Sequence, residues 1–164
     1  DDVGMPALDP AGLDLPTIAA LAAEAANAHL LDQLHAAGFT GVRAAHGYLL
    51  QALVDERPSV GELAARLGVT QQAISKTVTE LESLGIAHRE ADAHDSRVRR
   101  VALTARGEDL LETSRRIRSD LDARVAAELG DLAAAKRALA ALLEAAGGVE
   151  AVRQRRGGAG GGGG

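Results

Sequence analysis

The chain has 164 residues, 46% of them apolar, which is enough to bury one core of ordinary size. It contains one Phe, one Tyr and no Trp, too few rings for a protein that reads single-stranded nucleic acid by stacking. The absence of Cys excludes disulfides, thiol redox switches and Cys-type zinc sites. The net charge of −5 argues at first sight against a partner made of phosphates.

The two ends of the chain differ in composition from the middle. Residues 1–16 contain three prolines and several acidic residues, and we expect a flexible N-terminal arm without the basic start of a secretory signal. The Gly-rich residues 147–164 are expected to form a flexible tail. No apolar run reaches the roughly 18 residues that a membrane span needs. We therefore expect a cytoplasmic protein without a membrane partner.

The first two helices are predicted from apolar periodicity. An amphipathic helix over residues 17–37 has an apolar stripe that runs from Ile18 to Leu34, and Gly38 ends it. Thr40 is expected to cap a second helix that extends to about Val54.

Capping signals are stronger in the middle of the chain. Ser59 followed by Glu62 fits a capping box, and Gly68 ends the short helix that this box begins. Thr70 is expected to cap the next helix, and Gly85 lies where a left-handed residue ends such a helix. These signals predict two helices joined by a tight turn.

The periodicity then changes from helical to alternating. Residues 86–90 and 98–103 predict a two-stranded hairpin, with the polar residues 91–97 at its tip. Helical periodicity returns over residues 104–128 and again over 131–146.

The helix that follows Thr70 has two distinct faces. Ile74, Val78 and Leu81 share the inward stripe. The opposite face consists of Gln72, Ser75, Lys76, Thr79 and Ser83. Amides can pair with adenine, and lysine with guanine or phosphate, so this face is suited to reading duplex DNA. Any surface helix also has a polar face, so the pattern of this helix alone leaves both interpretations open.

The predicted hairpin favours the DNA interpretation. It carries Arg89, Arg97, Arg99 and Arg100. An arginine at a hairpin tip can enter the minor groove, and Asp95 is placed to hold Arg97 by a charge-assisted hydrogen bond. Residues 59–104 contain six basic and six acidic residues, so this segment is neutral and the net charge does not exclude DNA.

Residues 59–107 resemble the winged helix-turn-helix of the MarR family of bacterial regulators. The most specific part is the Asp-x-Arg of Asp95 and Arg97, followed by Val-Ala-Leu-Thr at 101–104 and then Gly107. The resemblance implies a recognition helix in the major groove and a wing arginine in the minor groove. It also implies a homodimer formed by the first and the last two helices.

The predicted fold is therefore mainly α with a small β-hairpin wing. A winged helix-turn-helix occupies residues 38–103, and a helical dimerisation region occupies residues 17–37 and 104–146. The flanking helices hold more apolar residues than a compact winged domain can cover, which also favours a dimer. The DNA-binding residues that the sequence and the resemblance together predict are Thr70, Gln71, Gln72, Ser75, Lys76, Thr79, Arg89, Asp95, Arg97 and Arg99.

The predicted function is sequence-specific binding of double-stranded DNA by a transcriptional repressor. The resemblance further implies release by a small, often aromatic effector near His46 and Tyr48. No nucleophile has a neighbouring base and no phosphate loop is present, so we expect neither an enzyme nor a cofactor. Two alternatives remain: an interaction module that has lost DNA binding, which the acidic composition favours, and a metal sensor.

A metal sensor would need ligands from Glu24, His29, His35 and His46. No two histidines are spaced i, i+4, so we expect no metal site.

Overall fold

The computed structural model describes residues 9–95 and 97–148. Within these ranges the chain forms six α-helices, a short 3₁₀ turn at Pro10–Gly12 and one hairpin. The helices and strands are α1 (Leu15–Ala36), α2 (His46–Ala52), α3 (Val60–Leu67), α4 (Gln71–Ser83), β1 (Ala87–Ala91), β2 (Arg99–Leu103), α5 (Ala105–Leu129) and α6 (Leu132–Ala145). The predicted fold class, mainly helical with a hairpin wing, is confirmed.

The first helix begins two residues before its predicted start. Asp14 accepts a hydrogen bond from the backbone amide of Thr17 at 2.9 Å, and Pro16 occupies the first turn, where its missing N–H has no cost. The two residues before Thr17 that were assigned to the flexible arm are therefore helical. Residues 1–8 and 149–164, which hold most of the predicted arm and tail, lie outside the described residues.

The prediction for the second helix was wrong at its start. Thr40 does not cap it; residues 40–45 form turns, and α2 begins at His46. The physical reason is Gly41, which has φ of 85° and so lies in the left-handed region that a right-handed helix excludes. The helix also ends at Ala52, two residues before the predicted Val54.

The helix-turn-helix has the predicted local structure. The capping box is complete, because Glu62 accepts from the Ser59 amide at 2.6 Å while Ser59 Oγ accepts from the Glu62 amide at 3.2 Å. Gly68 (φ 67°) ends α3, and Thr70 Oγ1 accepts from the Ala73 amide at 3.2 Å to begin α4. The turn between α3 and α4 is therefore fixed by caps at both sides.

One apolar core joins the helix-turn-helix to the hairpin. Leu63 of α3, Val78 and Leu81 of α4 and Val101 of β2 have no exposed surface. Ile74 is also buried, so the predicted inward stripe of α4 is confirmed. Burial of these side chains fixes which face of α4 points outward, since rotating the helix would expose them to water.

The hairpin pairs antiparallel with Arg89 opposite Val101 and Ala91 opposite Arg99. It continues into α5 through Thr104, whose hydroxyl accepts from the Gly107 amide at 3.1 Å. The backbone amide of Thr104 donates to Ile86 O at 3.0 Å. The base of the wing is thus tied to α5 and to Ile86, which precedes β1.

The outer helices α1, α5 and α6 contact one another but bury few of their own side chains. On α1, Leu34 is buried while Leu21 is 42% exposed. α6 has no buried residue, and Leu139 and Leu143 are 51% and 43% exposed. None of the described helices combines the length and the apolar character that crossing a membrane requires.

Candidate DNA-binding surface

The outer face of α4 presents the side chains that the sequence analysis placed there. Gln72, Lys76 and Thr79 are exposed, and Ser75 is half-buried. Gln71 is exposed too, and its amide lies over Gly61 of α3, where an added Cβ would contact it at 3.6 Å. Gln72 and Lys76 occupy the same outer strip, since residues four apart on a helix are neighbours.

Arg89 on β1 is engaged by α4. Its guanidinium forms an ion pair with Glu82 and donates through Nη2 to Ser75 O at 3.0 Å and to Ser75 Oγ at 3.2 Å. The same nitrogen lies 3.4 Å from Thr79 Oγ1. Glu82 also accepts from the Arg89 backbone amide at 3.0 Å. These contacts make Arg89 a brace between wing and recognition helix, and they use one acceptor position on each of the Ser75 and Thr79 hydroxyls.

The role of Glu82 is not evident from the sequence. The ion pair joins residues seven apart across the Gly85 turn, and only the folded hairpin brings them together. The sequence indicates this ion pair only through an acidic residue in the last turn of α4 and a basic residue in the first strand.

At the wing tip, Asp95 holds the backbone rather than the guanidinium of Arg97. Asp95 Oδ1 accepts from the Arg97 amide at 2.9 Å. The Arg97 side chain is exposed and has no ion pair within the part of the chain that the structure describes. The expected side-chain bond is therefore replaced by a bond that shapes the turn.

The base of the wing is held by a second set of ion pairs. Arg100 pairs with Asp92, and its Nη1 donates to Arg57 O at 3.1 Å and lies 3.2 Å from Glu62 Oε2. Arg57 in turn pairs with Glu90 at 2.9 Å. Since Glu62 belongs to the capping box of α3, this cluster ties the wing to the helix-turn-helix.

These contacts shift the pKa values of the carboxylates. The hydrogen bond from Arg100, with those from the His94 and Asp95 amides, lowers the pKa of Asp92 to about 2. The pKa of Glu62 is lowered chiefly by the Ser59 amide and that of Glu90 chiefly by Arg57. The pKa of Arg100 is raised, mainly by Asp92.

Asp92 gives a testable pH dependence. Because its folded pKa of about 2 lies below the ordinary 3.8, its charge stabilises the fold above about pH 4 and that contribution is lost as the pH falls toward 2. Asp92→Asn should therefore melt below the parent protein at pH 6, and the difference should shrink toward pH 2. Thermal unfolding followed by circular dichroism measures this. Asp120→Asn, on an exposed part of α5, is the control, and a parent-minus-variant difference independent of pH would contradict the assignment.

Few cations remain for a phosphate partner after these pairings. Arg57, Arg66, Arg89 and Arg100 each have an acidic partner. Within residues 9–95 and 97–148, three exposed cations of the helix-turn-helix and wing have no ion pair: Lys76, Arg97 and Arg99. They lie on the recognition helix and at the wing, the two elements that the sequence analysis assigned to DNA.

The residues considered for a metal do not form a binding cluster in the described part of the chain. The described residues hold no group of three or more acidic and histidine side chains that could bind a metal ion. Nε2 of His35 lies 2.9 Å from Val42 O, and His46 is engaged by Arg43 and Glu80.

The order α3, turn, α4 and hairpin, with β1 braced on the outer face of α4, defines a winged helix-turn-helix. Residues 40–98 match the model of the MarR family, which confirms the resemblance over this segment. No curated protein shows significant sequence similarity to the chain.

Solved structures extend the likeness over the flanking helices. The YusO protein from Bacillus subtilis is 23% identical with a TM-score of 0.64, covering 80% of this chain and 94% of that protein. MepR from S. aureus in complex with DNA is 19% identical with a TM-score of 0.62, covering 82% and 97%. A transcriptional regulator from Thermotoga maritima is 23% identical with a TM-score of 0.56, covering 85% and 94%. At these identities the likeness establishes the fold.

Proposed function

We propose that this protein is a transcription regulator, acting as a repressor, that binds a pseudo-palindromic operator in double-stranded DNA as a homodimer. The observation that carries the proposal is that Gln72 and Lys76 face outward on α4 beside Arg97 and Arg99 of the adjoining wing, which have no ion pair among the described residues. MepR, which shares the fold, has been solved bound to DNA, and this supports the same partner. The protein would then work in the cytoplasm by binding rather than by catalysis.

The roles follow from the geometry of the two grooves. In the major groove, Gln72 would read a base edge while Lys76 contacts guanine or phosphate. Thr70 and Gln71 begin α4, the end of a recognition helix that enters most deeply, and Thr70 would offer its hydroxyl to phosphate. Arg97 would enter the minor groove and Arg99 would contact the backbone beside it. Ser75, Thr79 and Arg89 would act chiefly by holding wing and helix together.

Selection of bound sequences from random duplex DNA with the purified protein tests the proposal. We expect a palindromic site with half-site centres about 10 bp apart, the spacing that two recognition helices of a dimer require. A folded dimer that enriches no sequence at low salt would contradict DNA reading and favour the interaction module.

Gln72→Ala is expected to relax sequence choice at one position of each half-site. A bidentate amide contact discriminates by about 1–3 kcal/mol, so the preference for the selected base should fall by about tenfold or more. Fluorescence anisotropy on the operator and its single-base variants measures it. Gln33→Ala, on the exposed side of α1, is the matched control. An equal loss of affinity for every base would assign Gln72 to the phosphates instead.

The dimer is supported by apolar surface that one chain leaves uncovered. Leu21 on α1, Leu129 at the end of α5, and Leu139 and Leu143 on α6 are between 42% and 59% exposed. Monomeric proteins rarely leave such leucines together on neighbouring helices. A symmetric pairing of α1, α5 and α6 with those of a second copy would bury them and place two recognition helices on one DNA face.

Leu139→Glu should convert the dimer to a monomer, because a buried charge without a partner costs several kcal/mol at such an interface. Sedimentation equilibrium measures the change, and operator affinity should fall with it. Ala141→Glu lies on the opposite side of α6 and should leave the dimer intact. If both variants stay dimeric, the interface lies elsewhere.

A cavity of about 830 Å³ supports the proposed effector site. It lies between the outer helices and the helix-turn-helix, and its lining includes Asn27, Tyr48, Gln51, Arg66 and Arg118. Tyr48 offers a ring for stacking, and a small aromatic acid would find arginine donors at the wall. Screening aromatic acids for a rise in melting temperature and for release of DNA tests this site; ligands that raise the melting temperature without weakening DNA binding would contradict it.

A further inference from the structure

His46 is a buried histidine that the proposed DNA contacts do not use. It is the first residue of α2 and is 1% exposed. Its Nδ1 accepts from the Arg43 backbone amide at 3.3 Å. Its Nε2 lies 3.3 Å from Glu80 Oε2, and Glu80 belongs to the last turns of α4. The ring therefore connects α2, a wall of the cavity, to the recognition helix.

The hydrogen bonds determine which nitrogen of the ring carries the proton. Because Nδ1 accepts from a backbone N–H, it must hold a lone pair. The proton is then on Nε2, where it can be donated to Glu80. The neutral ring with its proton on Nε2 satisfies the contacts with the Arg43 amide and with Glu80. The Arg43 guanidinium, whose Nη2 lies 3.4 Å from Nε2, is then a neighbour of that nitrogen and not its hydrogen-bond donor.

The pKa of Glu80 is lowered more by the hydrogen bond from the His46 ring than by that from the neighbouring Arg43. The hydrogen bond from His46 is the largest of the effects that lower the pKa of Glu80, ahead of the bond from Arg43. Arg43 also pairs with Glu80 but its side chain is 60% exposed, while the His46 ring is almost fully enclosed. An enclosed contact is better placed to fix geometry than an exposed ion pair, which water and salt weaken.

We propose that His46 and Glu80 form a positioning pair, in which the neutral ring of His46 holds the C-terminal part of the recognition helix against α2. The proposal rests on the proposed function in one respect: a change in the orientation of α4 is detected as a change in the selectivity of DNA binding. The core side chains of α4, Ile74, Val78 and Leu81, keep the helix in place without the pair. The pair would set its angle, and with it the register of Gln72 and Lys76.

The position of α2 would allow a ligand in the cavity to act on the pair. His46 is followed by Gly47 and Tyr48, which line the cavity described above. A ligand that displaces α2 would thereby shift Glu80 and α4 through a direct contact. The charged groups that contact the ring among the described residues are Arg43 and Glu80.

Four variants test the pair. His46→Gln keeps an amide donor, whereas His46→Leu fills similar space without a donor. Glu80→Ala removes the acceptor from a partly exposed position, so it should fold even where the His46→Leu variant does not. Arg43→Ala is the matched control, because it removes the exposed ion pair with Glu80 and the 3.4 Å guanidinium contact with Nε2 but leaves the backbone amide that faces Nδ1.

The measured quantity is the ratio of affinities for the selected operator and for random DNA. We expect His46→Leu and Glu80→Ala each to lower this ratio by about tenfold, with no further loss when combined. His46→Gln and Arg43→Ala should stay close to the parent protein. A parental ratio in the Glu80→Ala variant, or equal losses in the Gln and Leu variants, would overturn the proposal.

A second measurement needs no DNA. Nitrogen-15 shifts of the His46 ring should show a protonated Nε2 and an unprotonated Nδ1 at pH 7.5, and amide exchange in α4 should quicken in the Glu80→Ala variant but not in the Arg43→Ala variant. The opposite tautomer, or unchanged exchange, would overturn the positioning pair. If the parent protein selects no DNA sequence, the proposed function fails while these two measurements still decide on the pair.

Discussion

Replacing Gly107 by alanine is expected to lower the free energy of unfolding by about 3 kcal/mol, the upper range for overpacking a close-packed site. Gly107 lies in the first turn of α5, where a Cβ would come within 2.2 Å of the backbone oxygen of Ile86. That oxygen accepts hydrogen bonds from the amide of Thr104 at 3.0 Å and from its hydroxyl at 3.1 Å. It cannot move aside without breaking them.

The clash therefore pushes the start of α5 away from Ile86, the residue that precedes β1. Urea unfolding measures the loss, and Gly47→Ala is the matched control. Gly47 also lies in a helix, yet a Cβ added there meets nothing within 4 Å, so that variant should be slightly more stable than the parent protein. A Gly107→Ala variant as stable as the parent would mean that α5 is not held as closely to Ile86 as the structure has it.

The elements that sequence analysis located well are those with local signals. Ser59, Thr70, Thr104 and Asp131 each satisfy backbone amides three residues ahead, and a cap of this kind needs no information from the rest of the chain. The inward stripe of α4 was equally accessible, because its period depends only on helix geometry. Thr40 does not cap a helix, because the neighbouring Gly41 adopts a left-handed conformation. Glycine can adopt this conformation but does not have to, so the sequence alone does not predict it.

The candidate site was predictable in its residues but not in their partners. That Gln72 and Lys76 face outward follows from the helix alone. The binding of Arg89 to Glu82 and Ser75 depends on the angle at which the hairpin packs against α4, and no local sequence pattern encodes this angle. The same holds for Arg100, whose partner Glu62 is 38 residues away in sequence. Such contacts decide which arginines stay available for DNA.

Arg97 is the arginine at the wing tip that stays available, and Arg97→Ala is expected to weaken operator binding by about a hundredfold. Each dimer would lose two minor-groove contacts, and about 1.4 kcal/mol for each corresponds to tenfold per subunit. The slope of log affinity against log salt should fall by about two units, because two fewer cations would displace counterions from the DNA. Anisotropy titrations between 50 and 300 mM salt measure both effects.

Two further variants separate charge from wing geometry. Arg116→Ala, an exposed arginine of α5, should leave affinity and salt slope unchanged. Asp95→Ala should keep the parental salt slope but bind less tightly, because Asp95 holds the Arg97 backbone and does not neutralise its guanidinium. If the Asp95→Ala variant instead gained affinity and salt dependence, Asp95 would act by its charge. If the Arg97→Ala variant bound like the parent, recognition would rest on α4 alone, and the wing would serve only to brace it through Arg89.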